Sequence, residues 1–144
     1  MPINLEKFYI KDKYVSCSVI KGDNAYKLFD NERKTLICSM SYYIYDDIKN
    51  FDWINLADII TEPEYRGQGY ASKLLPILIS DLNKRYPDMG LYLLVAVDNL
   101  PAIKLYTNNG FKSLRTYKLR NRNYYVMYRG DVDISQLMNT KFSG

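Results

Sequence analysis

The chain has 144 residues, of which 47% are hydrophobic and 25% are charged, and these proportions are typical of a globular protein rather than a disordered one. We therefore predict one domain, spanning residues 1–144, with a single core. The net charge of +4 suits an anionic ligand but is lower than expected of a dedicated nucleic-acid-binding protein, and a chain with no histidine and two cysteines predicts no metal site.

The N-terminal part of the chain has the pattern of β-strands. Its strand-like runs are residues 14–20, 25–29 and 35–45. The first two flank a turn cluster and predict a hairpin, and Cys17 and Cys38 within these runs are expected to be small buried residues. A polar connection at 46–52 leads to an apolar, β-prone run at 53–60.

The C-terminal part alternates between helical and strand-like patterns. Apolar residues recur at helical spacing from Ala71 to Leu82, predicting a helix that ends near Arg85, with a kink or break at Pro76. The apolar run at 91–97 predicts a strand buried on both faces, parallel to the strand at 53–61.

Further capping and turn signals follow this strand. Asp98 or Asn99 as cap and Pro101 in the first turn predict the start of a second helix, and Gly110 predicts its left-handed end. Residues 111–119 and 124–129 predict a second hairpin, and the tail from Asp131 predicts a short amphipathic helix. No apolar segment is long enough to span a bilayer and no signal-peptide pattern is present, so we expect a cytoplasmic protein without membrane contacts.

The segment 61–75, TEPEYRGQGYASKLL, joins the central strand to the first helix through a turn with two glycines. A glycine-containing turn at a helix N-terminus forms an anion site, because the backbone can approach the ligand and the free N–H groups point at it. A dinucleotide-binding fingerprint would need a third glycine at Ser72, and a phosphate-binding Walker loop would need Gly-Lys-Ser/Thr after a longer spacing. Neither pattern is present.

Arg66, Gly69 and Ala71 in this turn stand at the defining positions of an Arg-x-x-Gly-x-Ala signature, and the stretch resembles that of the GNAT family of N-acetyltransferases. The segment 99–111 is similar to the family's second signature, Asn-x-x-Ala-x-x-Leu-Tyr-x-x-x-Gly-Phe, at every defined position. The two motifs together cover about the C-terminal half of the chain, and as a pair they are highly specific.

This resemblance implies an α/β (α+β) fold: a central mixed, mostly antiparallel sheet splayed between two parallel strands, with helices on both faces. The family usually carries one or two helices between its first two strands, whereas residues 14–20 and 25–29 are joined by a short turn. We therefore expect the N-terminal helices to be reduced or absent, and the acceptor pocket to be open or completed by the second subunit of a homodimer.

The resemblance also implies acetyl-CoA as co-substrate, lying between the two parallel strands, and no metal. The turn would hold the pyrophosphate through backbone N–H groups, and the end of the strand and Asn99 would contact the pantetheine. The implied cofactor-binding residues are Ile60, Thr61, Arg66, Gly67, Gln68, Gly69, Tyr70, Ala71, Asn99, Ala102 and Tyr106.

Tyr106 and Glu62 are the predicted catalytic residues. In the family, the tyrosine at the position of Tyr106 donates a proton to the departing thiolate, and a phenol with a pKa near ~10 is protonated at neutral pH. Outside the motif, Tyr106 would be interpreted as a core aromatic. The general base stays open between Glu62, Asp58 and a water molecule. Leu94 replaces a glutamate often found in the branch that acetylates protein N-termini, which argues against that branch.

The predicted function is therefore transfer of an acetyl group from acetyl-CoA to a primary amine by direct attack. The acceptor is a small polyamine-like amine or a protein lysine or N-terminus, facing an aromatic surface of Tyr42, Tyr43 and Tyr45. One alternative is a non-catalytic acyl-CoA-binding domain. Another is a nucleic-acid-binding module that uses the basic, aromatic hairpin 115–129. The alternation of residue types in this segment is explained more simply by an exposed hairpin, so nucleic-acid binding ranks last among the alternatives.

Overall fold

The structure is a computed structural model that describes residues 3–10, 13–45 and 50–142, without the side chains of residues 3–9. Most of the predicted polar connection, residues 46–49, lies outside the described residues. The elements in chain order are β1 (Ile3–Ile10), β2 (Lys13–Lys21), β3 (Ala25–Asp30), β4 (Thr35–Tyr43), β5 (Trp53–Thr61), the short 3-10 helix Pro63–Tyr65, α1 (Tyr70–Arg85), β6 (Gly90–Ala96), α2 (Leu100–Asn108), β7 (Lys112–Leu119), β8 (Arg122–Arg129) and α3 (Ser135–Asn139).

The strands form one hydrogen-bonded sheet in the order β1-β2-β3-β4-β5-β6-β8-β7. The ladders between β1 and β2, β2 and β3, β3 and β4, β6 and β8, and β7 and β8 are antiparallel, and β5 pairs with β6 in parallel. The mixed, mostly antiparallel sheet with helices predicted from the sequence is therefore confirmed. The described elements before β5 are all strands, as expected of a chain without the family's N-terminal helices. Of these strands, β1 was not singled out by the sequence pattern.

The chain forms two compact units, and the boundary between them falls inside β5. The first unit comprises Met1–Tyr42 and Ala57–Arg85, and the second comprises Tyr43–Leu56 and Tyr86–Gly144. The first unit therefore contains β1 to β3, β4 except its last residue, the second half of β5 and α1. The second contains the first half of β5, β6 to β8, α2 and α3.

In the first unit, α1 buries one broad apolar face that includes Leu74, Leu75, Leu78 and Leu82. The helix ends at Arg85 as predicted. It runs through the exposed Pro76 without interruption, so the predicted break is wrong. A proline removes one backbone hydrogen bond, and on a solvent-facing side water can satisfy the carbonyl that loses its partner. Cys17 and Cys38 are free and buried, as predicted.

A polar network ties α1 to the strands of the same unit. Asp81 accepts hydrogen bonds from the Tyr26 hydroxyl and from the Lys21 ammonium, the latter at 3.2 Å. Arg85 donates to the Tyr42 hydroxyl at 2.8 Å. Tyr42 is 3% exposed, so the prediction that it lends aromatic surface to the acceptor is wrong for this residue. Its ring instead packs in the core while its hydroxyl joins the network.

The second unit is organised around the parallel ladder, in which Trp53, Ile54 and Asn55 pair with Gly90, Leu91 and Tyr92. A Cβ atom on Gly90 would lie 2.3 Å from the Trp53 ring, so only glycine fits there. Trp53, Tyr92 and Leu137 form a buried cluster. Arg115 holds the tail across this cluster by donating to the carbonyl oxygens of Leu137 at 3.0 Å and Thr140 at 2.6 Å. Leu137 lies in α3, which confirms the predicted C-terminal helix.

Among the described residues, no helix combines the length and the apolar character needed to cross a membrane.

Candidate active site

The end of β5 leads directly into the turn that the sequence singled out. Glu62 follows the strand and precedes the 3-10 helix, and its N–H donates to the carbonyl of Ile37 at 2.8 Å. Pro63 occupies the first turn of that helix, where its missing N–H costs nothing. The strand therefore ends where the sequence predicted, and the turn begins from a fixed backbone position.

Two glycines give the turn its shape. Gly67 has φ +72° and Gly69 has φ +90°, in the left-handed region that side chains rarely adopt. A Cβ atom built on either glycine would meet nothing within 4 Å. Glycine is therefore needed here for its conformation, and the space beside the backbone remains open to a ligand.

The turn is held in place by its own polar groups. The Arg66 side chain donates through Nε to the Thr61 carbonyl at 2.8 Å, and the Gln68 amide donates to the Glu64 carbonyl at 3.0 Å. The backbone N–H of Arg66 already donates to Pro63 at 3.3 Å, so the predicted set of pyrophosphate donors narrows to the residues after it.

The backbone N–H groups of residues 67–69 have no partner in the part of the chain that the structure describes. They precede α1, which begins at Tyr70, so they stand at the positive end of the helix dipole. Unpartnered donors beside open space are what an anionic group such as a pyrophosphate requires. The turn therefore fits the group that the resemblance implies. The side chain of Tyr70 is buried and contributes nothing to this cradle, while Ala71 lies in the first turn of the helix.

The two candidate bases lie on either side of the end of β5. Glu62 is half-buried, and its carboxylate forms no hydrogen bond or ion pair with the described residues. Asp58 is exposed and has φ +52°, a left-handed conformation that aspartate tolerates better than most residues. This residue interrupts the regular course of β5. Ile60, on the same strand, is half-exposed despite its apolar side chain.

In the second unit, Asn99 caps α2. Its Oδ1 accepts the N–H of Ala102 at 3.3 Å, which confirms the predicted helix start. Its Nδ2 group makes no hydrogen bond with the described residues, so a donor remains available at this exposed position. The roles of helix cap and ligand contact are therefore compatible for this side chain.

Tyr106 combines a buried ring with an available hydroxyl. The residue is 6% exposed, and burial raises the pKa of its phenol to about 12. The hydroxyl makes no hydrogen bond with the described residues, and no side-chain oxygen or nitrogen of those residues is both fully buried and unpartnered. The hydroxyl oxygen must therefore reach accessible space. Because its oxygen is accessible, the neutral phenol can donate a proton to a bound group.

The end of α2 fixes the position of the Tyr106 ring. The N–H of Phe111 donates to the Tyr106 carbonyl at 3.0 Å, and that of Gly110 donates to the Thr107 carbonyl at 3.1 Å. Together with φ +89° at Gly110, these bonds form a Schellman motif. The motif brings the Phe111 ring to 5.9 Å from that of Tyr106.

Arg129 supports the same helix end from β8. Its Nε donates to the Asn109 carbonyl at 3.0 Å, and a cation at a helix C-terminus is favoured by the helix dipole. Reasoning from the sequence assigned no role to Arg129, and no local pattern identifies it. For Phe111 a signal was present, since the Gly-Phe pair that closes the second motif is what a Schellman motif with an apolar contact requires.

Two cations of the basic hairpin formed by β7 and β8 contact other groups of the protein. Arg115 binds carbonyl oxygens of the tail. Arg122 lies 3.7 Å from Asp98 and over the ring of Tyr124. The hairpin itself is confirmed, with the turn residues Arg120 and Asn121 both at positive φ.

Comparison with known proteins gives one matching family, described as the acetyltransferase (GNAT) family, over residues 6–111. A relative from Haemophilus ducreyi, named ribosomal protein bS18-alanine N-acetyltransferase, is 36% identical over 87 residues, which are 60% of this chain and 57% of that protein. The match thus spans little more than half of the relative's length.

Solved structures share the fold. The NatC complex bound to Gag peptide and CoA has a TM-score of 0.65 at 23% identity, covering 75% of this chain and 71% of that one. Mutant forms of the spermidine/spermine N-acetyltransferase SpeG from Vibrio cholerae have a TM-score of 0.61 at 24% identity, covering 72% and 64%. With both motifs in place on the strand, turn and helices described above, the chain belongs to the acetyltransferase (GNAT) family.

Proposed function

We propose that this protein is an acetyl-CoA-dependent N-acetyltransferase that acts on a primary amine. The observation that carries the proposal is Tyr106, a buried tyrosine with a raised pKa whose hydroxyl has no described protein partner and reaches accessible space. Because the hydroxyl keeps no bond within the described protein and is accessible, it is free to donate a proton to a bound ligand.

Acetyl-CoA supplies the activated acetyl group. The backbone N–H groups of residues 67–69 and the first turn of α1 hold the pyrophosphate, and the side chains of Arg66 and Gln68 keep the turn in its binding conformation. The backbone at Ile60 and Thr61 and the Nδ2 group of Asn99 contact the pantetheine. Ala102, half-buried in the first turn of α2, leaves room for the cofactor to pass.

In the reaction, the nitrogen of the neutral amine bonds to the thioester carbon, and the carbon–sulfur bond breaks. The sulfur leaves with the bonding electrons and takes the proton of the Tyr106 hydroxyl. Because the pKa of Tyr106 is about 12, the phenol carries its proton throughout the neutral range. The raised pKa makes Tyr106 a weaker acid but keeps its hydroxyl protonated.

The amine must lose a proton before or during attack. Glu62 is our proposed base, since its half-buried carboxylate has no described partner and follows directly after Thr61. Asp58, which lies in β5 with a left-handed backbone, and a bound water remain the alternatives.

We propose a cationic primary amine as the acceptor, either polyamine-like or a protein lysine or N-terminus. Relatives named above include one that acts on the alanine of ribosomal protein bS18 and one that acts on spermidine and spermine. Leu94 stands where the branch that acetylates protein N-termini often has glutamate, which favours a small amine or a lysine. Tyr45, 39% exposed, remains a candidate for an aromatic acceptor contact.

A transfer assay with an amine panel tests the proposal. Wild-type protein is incubated with acetyl-CoA and spermidine, a lysine peptide, an alanine-terminated peptide or an acidic amino acid, and the acetylated nitrogen is identified by mass spectrometry. We expect amine-dependent release of the CoA thiol with a cationic acceptor. CoA binding without transfer to any amine would show a non-catalytic binding domain, and efficient transfer to the acidic amino acid alone would overturn the acceptor class.

A further inference from the structure

A cavity of about 170 Å³ in the first unit has no role in the reaction described above. It lies among the start of β2, the turn between β3 and β4, and the segment from the 3-10 helix to Tyr70. Its lining includes Tyr14, Asp30, Tyr65 and Tyr70, together with the exposed charged residues Lys13, Glu32, Arg33 and Glu64. The cavity therefore brings together a carboxylate and several aromatic hydroxyls.

Asp30 is the only charged side chain that is buried among the described residues, with 6% exposure. Its Oδ1 accepts the backbone N–H groups of Glu32 at 3.0 Å and Arg33 at 3.2 Å, and its Oδ2 accepts from the Tyr65 hydroxyl at 3.2 Å. All of these donors are neutral, and no cationic side chain of the described residues forms an ion pair with Asp30. A buried carboxylate without a cation is costly.

The guanidinium of Arg33, which also lines the cavity, is already engaged. Arg33 forms an ion pair with Glu64 at 3.1 Å, and its guanidinium lies over the Tyr65 ring at 5.6 Å from the ring centre. It forms no ion pair with Asp30, although its charge interacts with that carboxylate over a longer distance. The buried charge at the cavity is therefore negative, whereas the cations in its lining, Lys13 and Arg33, are exposed.

Tyr70 provides a second, independent observation. It is 4% exposed and lines the cavity, yet its hydroxyl makes no hydrogen bond with the described residues. Its ring is held by an edge-to-face contact with Tyr65, with the ring centres 5.4 Å apart. Since the described residues have no fully buried unpartnered side-chain oxygen, this hydroxyl opens into accessible space. On a ring this deeply buried, the hydroxyl is therefore presented to the cavity and is free to bond a polar ligand there.

We propose that this cavity binds the primary ammonium group of a small organic cation. An ammonium group has three N–H donors, and Asp30 Oδ2 and the Tyr70 hydroxyl are acceptors on the same cavity. The Tyr65 hydroxyl beside them already bonds to Asp30 and, at 2.7 Å, to Thr35 Oγ1. The aromatic rings add cation–π attraction, and the volume suits an alkylammonium of a few carbons. The site is independent of acetyl transfer, and Tyr70 directly follows Gly69 of the CoA-binding turn.

Calorimetry with n-butylammonium, n-butanol and butyrate tests the site without acetyl-CoA. We expect saturable binding of n-butylammonium and none of the neutral alcohol or the anion. Equal binding of butanol would mean that the cavity is only an apolar groove, and preference for butyrate would mean that Lys13 and Arg33 make it an anion site. Either result, or no binding of the ammonium, overturns the proposal.

Three variants distinguish binding in the cavity from general attraction of the ammonium group to surface charge. Asp30→Asn keeps the oxygen that accepts from the turn but removes the charge, and Tyr70→Phe removes only the hydroxyl. Each is expected to weaken n-butylammonium binding about tenfold or more. Glu32→Gln, which removes an exposed carboxylate at the same cavity, is the matched control and should change binding little.

An equal loss in Glu32→Gln, or wild-type affinity in Tyr70→Phe, would contradict the assignment. Circular dichroism establishes that each variant is folded. If Asp30→Asn fails to fold, Tyr70→Phe alone decides the result.

Discussion

Replacing Tyr106 with phenylalanine distinguishes a catalytic role of its hydroxyl from a packing role of its ring. The ring keeps its burial and its contact with Phe111, and the deleted hydroxyl has no partner among the described residues. The free energy of unfolding should therefore change by no more than about 0.5 kcal/mol. The loss of a positioned acid should instead lower kcat by about ten- to a thousandfold, equivalent to about 1.4–4 kcal/mol in the barrier.

The assay measures kcat, CoA affinity and urea denaturation for the wild type, Tyr106→Phe and Tyr26→Phe. The Tyr26 variant undergoes the same chemical change but loses hydrogen bonds with Asp81 and Arg85. It should lose about 1.5–3 kcal/mol of stability, because its hydroxyl bonds to charged groups, while kcat stays near wild type. A wild-type rate in Tyr106→Phe, measured where chemistry limits turnover, would reduce Tyr106 to a packing residue.

The pKa of Tyr106 predicts the shape of the pH–rate profile. Folding raises this pKa to about 12, so the phenol stays protonated well above pH ~10, where an ordinary tyrosine ionises. Its contribution to stability is fully present below pH ~10 and is lost only as the pH rises through the folded pKa. The rate should therefore rise with pH to a plateau, and ionisation of Tyr106 should cause no decrease in rate at any pH up to ~10. A falling limb near pH 8, absent from Tyr106→Phe, would contradict this.

Three further changes test other parts of the structure. Glu62→Gln should remove most of the rate at neutral pH and alter the rising limb of the pH profile; an unchanged profile would assign the base to Asp58 or water. Burial raises the pKa of Cys17 to about 11 and that of Cys38 to about 12, so iodoacetamide should modify neither thiol until the protein unfolds; fast labelling of the native protein would contradict their burial. Gly90→Ala places a Cβ against the Trp53 ring and should cost about 1–3 kcal/mol in urea denaturation; an unchanged midpoint would show that the ring moves freely.

Local signals in the sequence predicted the elements that carry the motifs. Asn99 and Gly110 start and end α2 through backbone bonds that involve only neighbouring residues, so their effect can be read from the chain. The same holds for the glycine turn before α1. Where structure depends on nearest neighbours, the sequence was sufficient.

Long-range contacts were not predictable in this way. Tyr42 was assigned to a binding surface, but its partners, Arg85 and Asp23, lie far from it in sequence. The cavity at Asp30 likewise combines three separate segments of the first unit. An alternating pattern shows that a side chain faces a core or solvent, but not which distant polar group will meet its hydroxyl.

Calorimetric titration with CoA tests the central claim, that the turn before α1 holds the cofactor. Gly69→Ala puts a methyl group at φ +90° beside the free N–H groups, and Gly110→Ala imposes the same backbone strain at φ +89° outside the turn. Both variants should lose stability, Gly110→Ala the more so because its Cβ would also lie 3.1 Å from Arg129 Nε. We predict that Gly110→Ala nevertheless keeps wild-type CoA affinity and that Gly69→Ala loses it. Unchanged CoA affinity in folded Gly69→Ala protein would contradict the assignment of the turn.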